Sequence, residues 1–243
     1  GGFGASGGST TVYVATCTPD NAGETVNVVV AAGAFSDAAG NTNTVSNTFD
    51  WTYEIVQPTM AITSTAGTAD GGTSAVEDFA LTFTSSEATS NFVVGDITAT
   101  GGDGCTLAGF GASGGSTTVY VATCTPDNDG ETVNVLVAAG AFSDAAGNTN
   151  TVSNTFDWTY DGTGPTMTIT SATVDSGSDT NTGAVVLVYT SNEVTVNFAL
   201  VDITVTECTN AAFTTESTTV YGSTCTEDTN GVTPTVLVAA GTF

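Results

Sequence analysis

The chain has 243 residues, enough for one large domain or two or three small ones, with 25 Asp and Glu and no Lys, Arg or His, a formal charge of -25. No internal ion pair can form, and nucleic acid and anionic membrane are excluded as partners because both are held through Lys and Arg. Triad catalysis, Schiff-base chemistry and arginine phosphate clamps are excluded on the same ground, so the chain reads as a non-enzyme.

The acidity is not that of a disordered tail, since apolar residues make up 40% of the chain and recur in alternating runs. Such a surface should gather cations, and the hard, oxygen-rich one suited to it is calcium. A saline habitat would account for the charge without any binding role. No window of roughly 18 apolar residues occurs, so no membrane-inserted helix is expected.

In chain order, the first strong feature is a repeat. Gly2 to Tyr53 returns as Gly109 to Tyr160 with two substitutions, Ala22 against Asp129 and Val29 against Leu136. PTMAITS at Pro58 is followed one period later by PTMTITS at Pro165. A third, drifted copy aligns LVYTSNEVTVNFALVDITVT at Leu187 with LTFTSSEATSNFVVGDITAT at Leu81. Three divisions follow: 1–57, the later part of one module; 58–164, a complete module; and 165–243, a module without its last strand. The chain therefore reads as a window on a longer tandem array, or as a subunit that completes its neighbours by exchanging strands.

Within 58–164 the apolar period is two. Strands are expected at 59–64, 79–83, 91–94, 96–100, 117–124, 133–137 and 156–160. About seven short strands in about 100 residues, broken by Gly, Asn, Asp and Ser, give an all-β fold: immunoglobulin-like antiparallel β-sandwich modules set end to end. The Phe156, Trp158 and Tyr160 stripe is expected in the core.

The five cysteines fall into register as Cys105 with Cys124, Cys208 with Cys225, and Cys17 alone, the counterpart of Cys124. A partner for Cys17 would precede the first residue. Each bridge closes a loop of about 20 residues, which contributes about 3 kcal/mol, and points to an oxidising, extracellular setting. Each is expected to fasten a loop, with Gly109 to Gly115 as its flexible tip.

Acidic positions that recur are the candidate calcium ligands. They are Glu87 and Glu193, Asp96 and Asp202, Asp37 with Asn41 and Asp144 with Asn148 in the two DAAGN turns, and Asp161 at the module boundary. Calcium takes six to eight oxygens. DAAGN offers an Asp, an Asn and a carbonyl, with Glu87 or Asp161 as donors of the rest; the competing reading is a solvated turn closed by its own side chains. The sequence lacks an Asn-x-Ser/Thr glycosylation motif, leaving its abundant Ser and Thr open to O-linked glycans.

PTMTITS, SSEATSNF at Ser85 to Phe92, DITAT at Asp96, VAAGAFSDAAGN at Val137 to Asn148 and FDWTYD at Phe156 together resemble the bacterial Ig-like repeats of long secreted surface and adhesin proteins. The likeness runs over essentially the whole chain. It implies a structural extender at the cell surface or in a surface appendage, with calcium at Glu87, Asp144, Asn148 and Asp161. Its partners would be neighbouring modules or identical subunits in a filament. The cysteine pairs and the absence of Lys and Arg depart from the usual pattern. The alternative is an adhesin that binds carbohydrate or protein, which should break the repeat with an aromatic cluster on one exposed loop. No such cluster distinguishes the copies.

Overall fold

A computed structural model describes residues 2–65, 68–89 and 91–243. The chain divides into two compact units, Gly1–Gly162 and Thr163–Phe243.

The first unit opens with four short strands, β1 (Gly4–Ala5), β2 (Tyr13–Val14), β3 (Thr25–Val28) and β4 (Phe49–Thr52). They form two separate antiparallel pairs, β1 with β2 and β3 with β4. Then comes a sandwich of eight strands: β5 (Met60–Ser64), β6 (Gly72–Ser74), β7 (Phe79–Ser85), β8 (Ile97–Thr100), β9 (Cys105–Ala112), β10 (Val119–Pro126), β11 (Thr132–Val137) and β12 (Phe156–Tyr160). One sheet runs β5-β7-β10-β9 and the other β6-β12-β11-β8.

Alternation explains the core. Phe79, Leu81, Phe83 and Ser85 of β7 turn inward while Ala80 and Thr84 face solvent, as the two-residue period of a strand requires. Val133, Val135 and Val137 of β11 do the same from the facing sheet. Trp158, fully buried, lies stacked on Phe79 with ring centroids 4.4 Å apart. The inner faces of both sheets thus share a single apolar core, as a two-layer Ig-like sandwich demands.

The second unit repeats part of this plan. Its strands are β13 (Met167–Thr170), β14 (Ala184–Ser191), β15 (Ile203–Thr206), β16 (Cys208–Thr215), β17 (Val220–Glu227) and β18 (Thr235–Val238). They form a β13-β14-β17-β16 sheet and a β15-β18 pair around a separate core.

Four expectations change. The segment 91–94 is not a strand: Phe92 plugs the core among Phe83, Phe110, Tyr120 and Phe142, and Val94–Asp96 is a 3-10 turn. The sandwich is not wholly antiparallel, because β6 adds to β12 in parallel, Trp158 opposite Gly72. Gly109 lies inside β9 rather than at a flexible tip, where a register shift against β10 absorbs its φ of +63°. The disulfides consequently do not fasten loops. Cys105–Cys124 joins neighbouring strands β9 and β10 of one sheet, and Cys208–Cys225 joins β16 and β17, with Cα separations of 5.6 and 5.7 Å. Cys17 is an exposed free thiol.

The polar run after DAAGN has a structural task. Asn150, 1% exposed, accepts from the Phe142 N–H at 2.9 Å and donates to the carbonyls of Ala138 and Thr151 at 2.8 and 2.7 Å. Asn154 bonds both backbone groups of Ile62 in β5. These amides stand in for a missing strand and tie residues 138–155 to both sheets.

Candidate metal centre

Three chain segments converge at one end of the sandwich. The first is the strap after β4, in which Tyr53 donates to the Glu24 carbonyl and Pro58, buried, accepts from the Thr151 N–H. Glu54 sits on this strap. The second leaves β7 and carries Glu87, whose N–H donates to Ser85 Oγ at 3.4 Å. The third is the turn Asp144 to Asn148, closed by the Ser143–Thr149 bridge.

Each segment is held in place by local chemistry. Asp144 Oδ1 accepts from the Asn148 N–H and Oδ2 from Asn148 Nδ2, both at 2.9 Å. Gly147, at φ +94°, supplies the left-handed residue that closes the turn. Asn91 joins the second segment to the third, accepting from the Ser143 N–H at 3.0 Å and donating to Ser143 Oγ at 3.2 Å. Asn148 Nδ2 also donates to Glu54 Oε2, joining the strap to the turn.

The result is that one carboxylate oxygen from each of Glu54, Glu87 and Asp144 lies within 4.8 Å of the others, all three side chains half-buried. With no basic side chain in the chain, nothing intramolecular offsets their charge. Glu87 is held above its ordinary value, first by burial and then by the negative charges of Glu54 and Asp144. Asp144 is held below, chiefly by the Asn148 side chain that donates to it. Three carboxylates, the nearby Glu54 carbonyl and an Asn148 carboxamide that can turn its oxygen inward make a hard, all-oxygen donor set of the kind calcium and magnesium take.

The remaining candidates lie elsewhere. Asp96 and Asp202 accept from the N–H groups of Val93 and Ala199, each at 2.8 Å, and cap 3-10 turns. Asp37 and Asn41 repeat the Asp144 and Asn148 turn, but no further carboxylate joins them among the described residues. Glu193, in the second unit, accepts from Asn192 Nδ2 at 3.0 Å. Asp161 lies just past β12, donating its N–H to the Ser74 carbonyl, and does not join the trio. Glu54, not named from the sequence, occupies the same repeat position as Asp161. The boundary residue that meets a DAAGN turn is the one preceding its module, and the one-period shift from Asp161 to Glu54 was the available signal.

A shallow hollow on the outer face of the β7 and β10 strands, lined by Thr82, Gly109, Val121 and Thr123 among others, presents no ionisable group and lies apart from the carboxylates.

Comparison with known proteins agrees with this architecture. No curated protein is significantly similar to the chain. Among solved structures, the chain is similar to the N-terminal part of the bacterial S-layer protein SbsC, at 14% identity and a TM-score of 0.31, over 56% of this chain and 41% of that one. The matched part is thus less than half of the S-layer chain's length, and a likeness this slight carries no argument. The family model described as a bacterial Ig-like domain matches residues 54–160. That range begins at Glu54, ends with β12 and contains all three clustered carboxylates: residues 54–160 are a bacterial Ig-like domain.

Proposed function

We propose that the chain is part of an extracellular structural protein, a stiff stalk or filament of Ig-like modules stacked end to end, in which calcium rigidifies the boundary between modules. The observation that carries this reading is the trio of Glu54, Glu87 and Asp144. It links the strap leaving one module copy to two loops of the next. Uncompensated, the three charges push the strap away from the loops; with a divalent cation between them, the same charges become a clamp.

The disulfides support the setting, because cross-strand bridges persist in oxidising compartments. The Ig-like fold supports a scaffold role, since two packed sheets offer surface and stiffness. Partners in this reading are neighbouring modules or identical subunits, and the exposed Ser and Thr are open to O-linked glycans.

The test is a thermal melt of the full chain with calcium and with chelator. A ligand that binds only the folded state at about 100 times its Kd adds about 2.7 kcal/mol, a rise of several degrees. The rise should vanish in Glu87→Gln and Glu54→Gln and persist in Asp96→Asn. Equal melting of the native chain in calcium and chelator, with magnesium as ineffective, would sink the reading.

A further inference from the structure

β9 is the least firmly held strand of its sheet. It lies at the edge, with β10 as its neighbour. β5, β7 and β10 each send buried side chains into the core, whereas the inward residues of β9, Cys105, Leu107 and Phe110, are only half-buried. Its outward Thr106 and Ala108 are exposed, and Gly109 and Gly111 add backbone freedom that docking must remove. A register shift between Val121 and Thr123 interrupts its ladder with β10.

The two ends of β9 are held differently. At the hairpin end the Ser113–Gly115 turn joins it to β10. There the extra residue at Gly109 re-aims Phe110 inward, stacked on Tyr120 at 5.8 Å and edge-on to Phe92 at 5.4 Å. The other end arrives from β8 in the facing sheet through Gly101 to Gly104, a loop held toward that sheet by the Asp103 N–H donating to Glu131 Oε2 at 3.2 Å. What fastens this end to β10 is Leu107 and the Cys105–Cys124 bridge, which runs diagonally across the ladder: Cys124 lies opposite Leu107, and Cys105 opposite Pro126.

The second unit keeps this plan with weaker residues. β16 lies at the edge beside β17 and is tied to it by Cys208–Cys225. Asn210 stands at the place of Leu107. Ala212 keeps the left-handed conformation of Gly109, at φ +52°, which its Cβ disfavours. The bulge persists because it aims Phe213 at Tyr221 and Phe198, 5.9 and 5.7 Å away. The features common to both copies are thus an aromatic anchor at the hairpin end and a bridge at the other.

We infer that Cys105 to Gly109 is an oxidation-dependent half-strand: the bridge docks it on β10, and with both thiols reduced it peels away while the rest of the sandwich stays folded. The same half of β16 does likewise. Closing the bridge is then the last step of module assembly. The Sγ atoms of Cys105 and Cys124 join as a disulfide-bonded oxidant is split into two thiols, which take up the two protons the cysteines release. Closing a loop of this size favours the docked strand by about 100-fold, against the hold of one half-buried leucine, or of an asparagine in the second unit. In reducing surroundings the module carries an unpaired stretch of β10 edge, open to other strands; oxidation shuts it. The carboxylate trio takes no part, so the behaviour is independent of calcium.

The test is amide hydrogen exchange on the full chain in a Cys17→Ser background, which removes the thiol able to reshuffle the bridges, with and without a phosphine reductant. On reduction, the protection lost at residues 105–109 should exceed that lost in β7 and β11 by at least about tenfold. Cys105→Ala with Cys124→Ala should reproduce that pattern without reductant. Ala108→Val, outward and opposite Thr123, raises strand preference without touching the core and should slow exchange of the reduced half-strand about threefold. Equal loss in all three strands would mean that the bridge stabilises the whole module alike, and it overturns the proposal. So does a half-strand as protected when reduced as when oxidised, or one that Ala108→Val leaves unchanged.

Discussion

Residues 2–53 and 109–160 have the same sequence but for two positions, and they do not have the same structure. What they share is local. Both carry the 3-10 turn at SGG, the Asp–Asn turn with its 2.9 Å bonds, and the hairpin in which a Val-rich strand pairs with FDWT in one register. What differs is everything that depends on a facing sheet. β9 and β10 have eight residues each, where their counterparts β1 and β2 have two. Phe142 is 1% exposed and Phe35 63%; Cys124 is bridged and Cys17 free. Turns and short hairpins are therefore properties of the sequence itself, whereas strand length and burial are conferred by β5, β7 and β8, which among the described residues pack with the second copy.

The largest test of that contrast is its central aromatic. Trp158→Ala should cost about 3–5 kcal/mol in denaturant unfolding, because it empties space against Phe79. Trp51→Ala, the same substitution in the same sequence, should change stability by no more than about 0.5 kcal/mol. Equal effects would mean that the first copy is folded as tightly as the second.

The disulfide comes next. Cys105 and Cys124 are 19 positions apart, and replacing both with Ala should remove about 3 kcal/mol, read as a lower midpoint under non-reducing conditions. Cys17→Ala should leave the midpoint unchanged.

Asn150 and Asn43 make the same set of amide bonds, but only Asn150 is buried. Asn150→Ala should cost about 1–3 kcal/mol by stranding buried backbone groups. Asn43→Ala should cost a few tenths, roughly, since water replaces its bonds. Hydrogen exchange at the Phe142 and Phe35 amides would report the difference directly.

The smallest effect is on pH dependence, and its sign is the same in the two Asp–Asn turns and opposite at Glu87. Asp37 and Asp144 are both held below 3.8, chiefly by their Asn partners. Their contribution is present above 3.8 and is lost as pH falls through the depressed values. Glu87 is held above 4.5 by burial and its two acidic neighbours. The folded state there binds its proton more tightly, so stability falls as pH rises through the window above 4.5. Without calcium, Glu87→Gln should flatten that fall. A melting profile indifferent to Glu87→Gln between pH 4 and 7 would mean that the trio does not repel.

Much of the fold was legible because a strand's two-residue period writes itself into composition. The inward rows of β7, β11 and β12 alternate without interruption, and each was placed within two residues. β9 was misread for a physical reason: CTLAGFGA contains two glycines, which weaken a strand in isolation, and it is pairing with β10 and the Cys105–Cys124 bridge that hold it extended. Residues 91–94 failed in the opposite sense. FVV has the composition of a strand, but Phe92 is needed as a plug between aromatic rings, and Asp96 turns the chain by accepting the Val93 N–H. At the carboxylate cluster, Glu87 and Asp144, with Asn148 beside them, were legible as recurring positions and through turn chemistry. Glu54 was not named: the repeat marks it as the counterpart of Asp161, but packing decides which of the two module ends meets the DAAGN turn.

The sequence by itself determined the repeat, the register of the cysteines, the DAAGN turn and the inward faces of most strands, because each depends on residues close in the chain or on simple alternation. Only the tertiary structure decided which carboxylates meet, which strands the disulfides join, and which of two identical segments is buried. Those outcomes depend on what lies across the sandwich, and the same letters give a core in one place and an open face in the other.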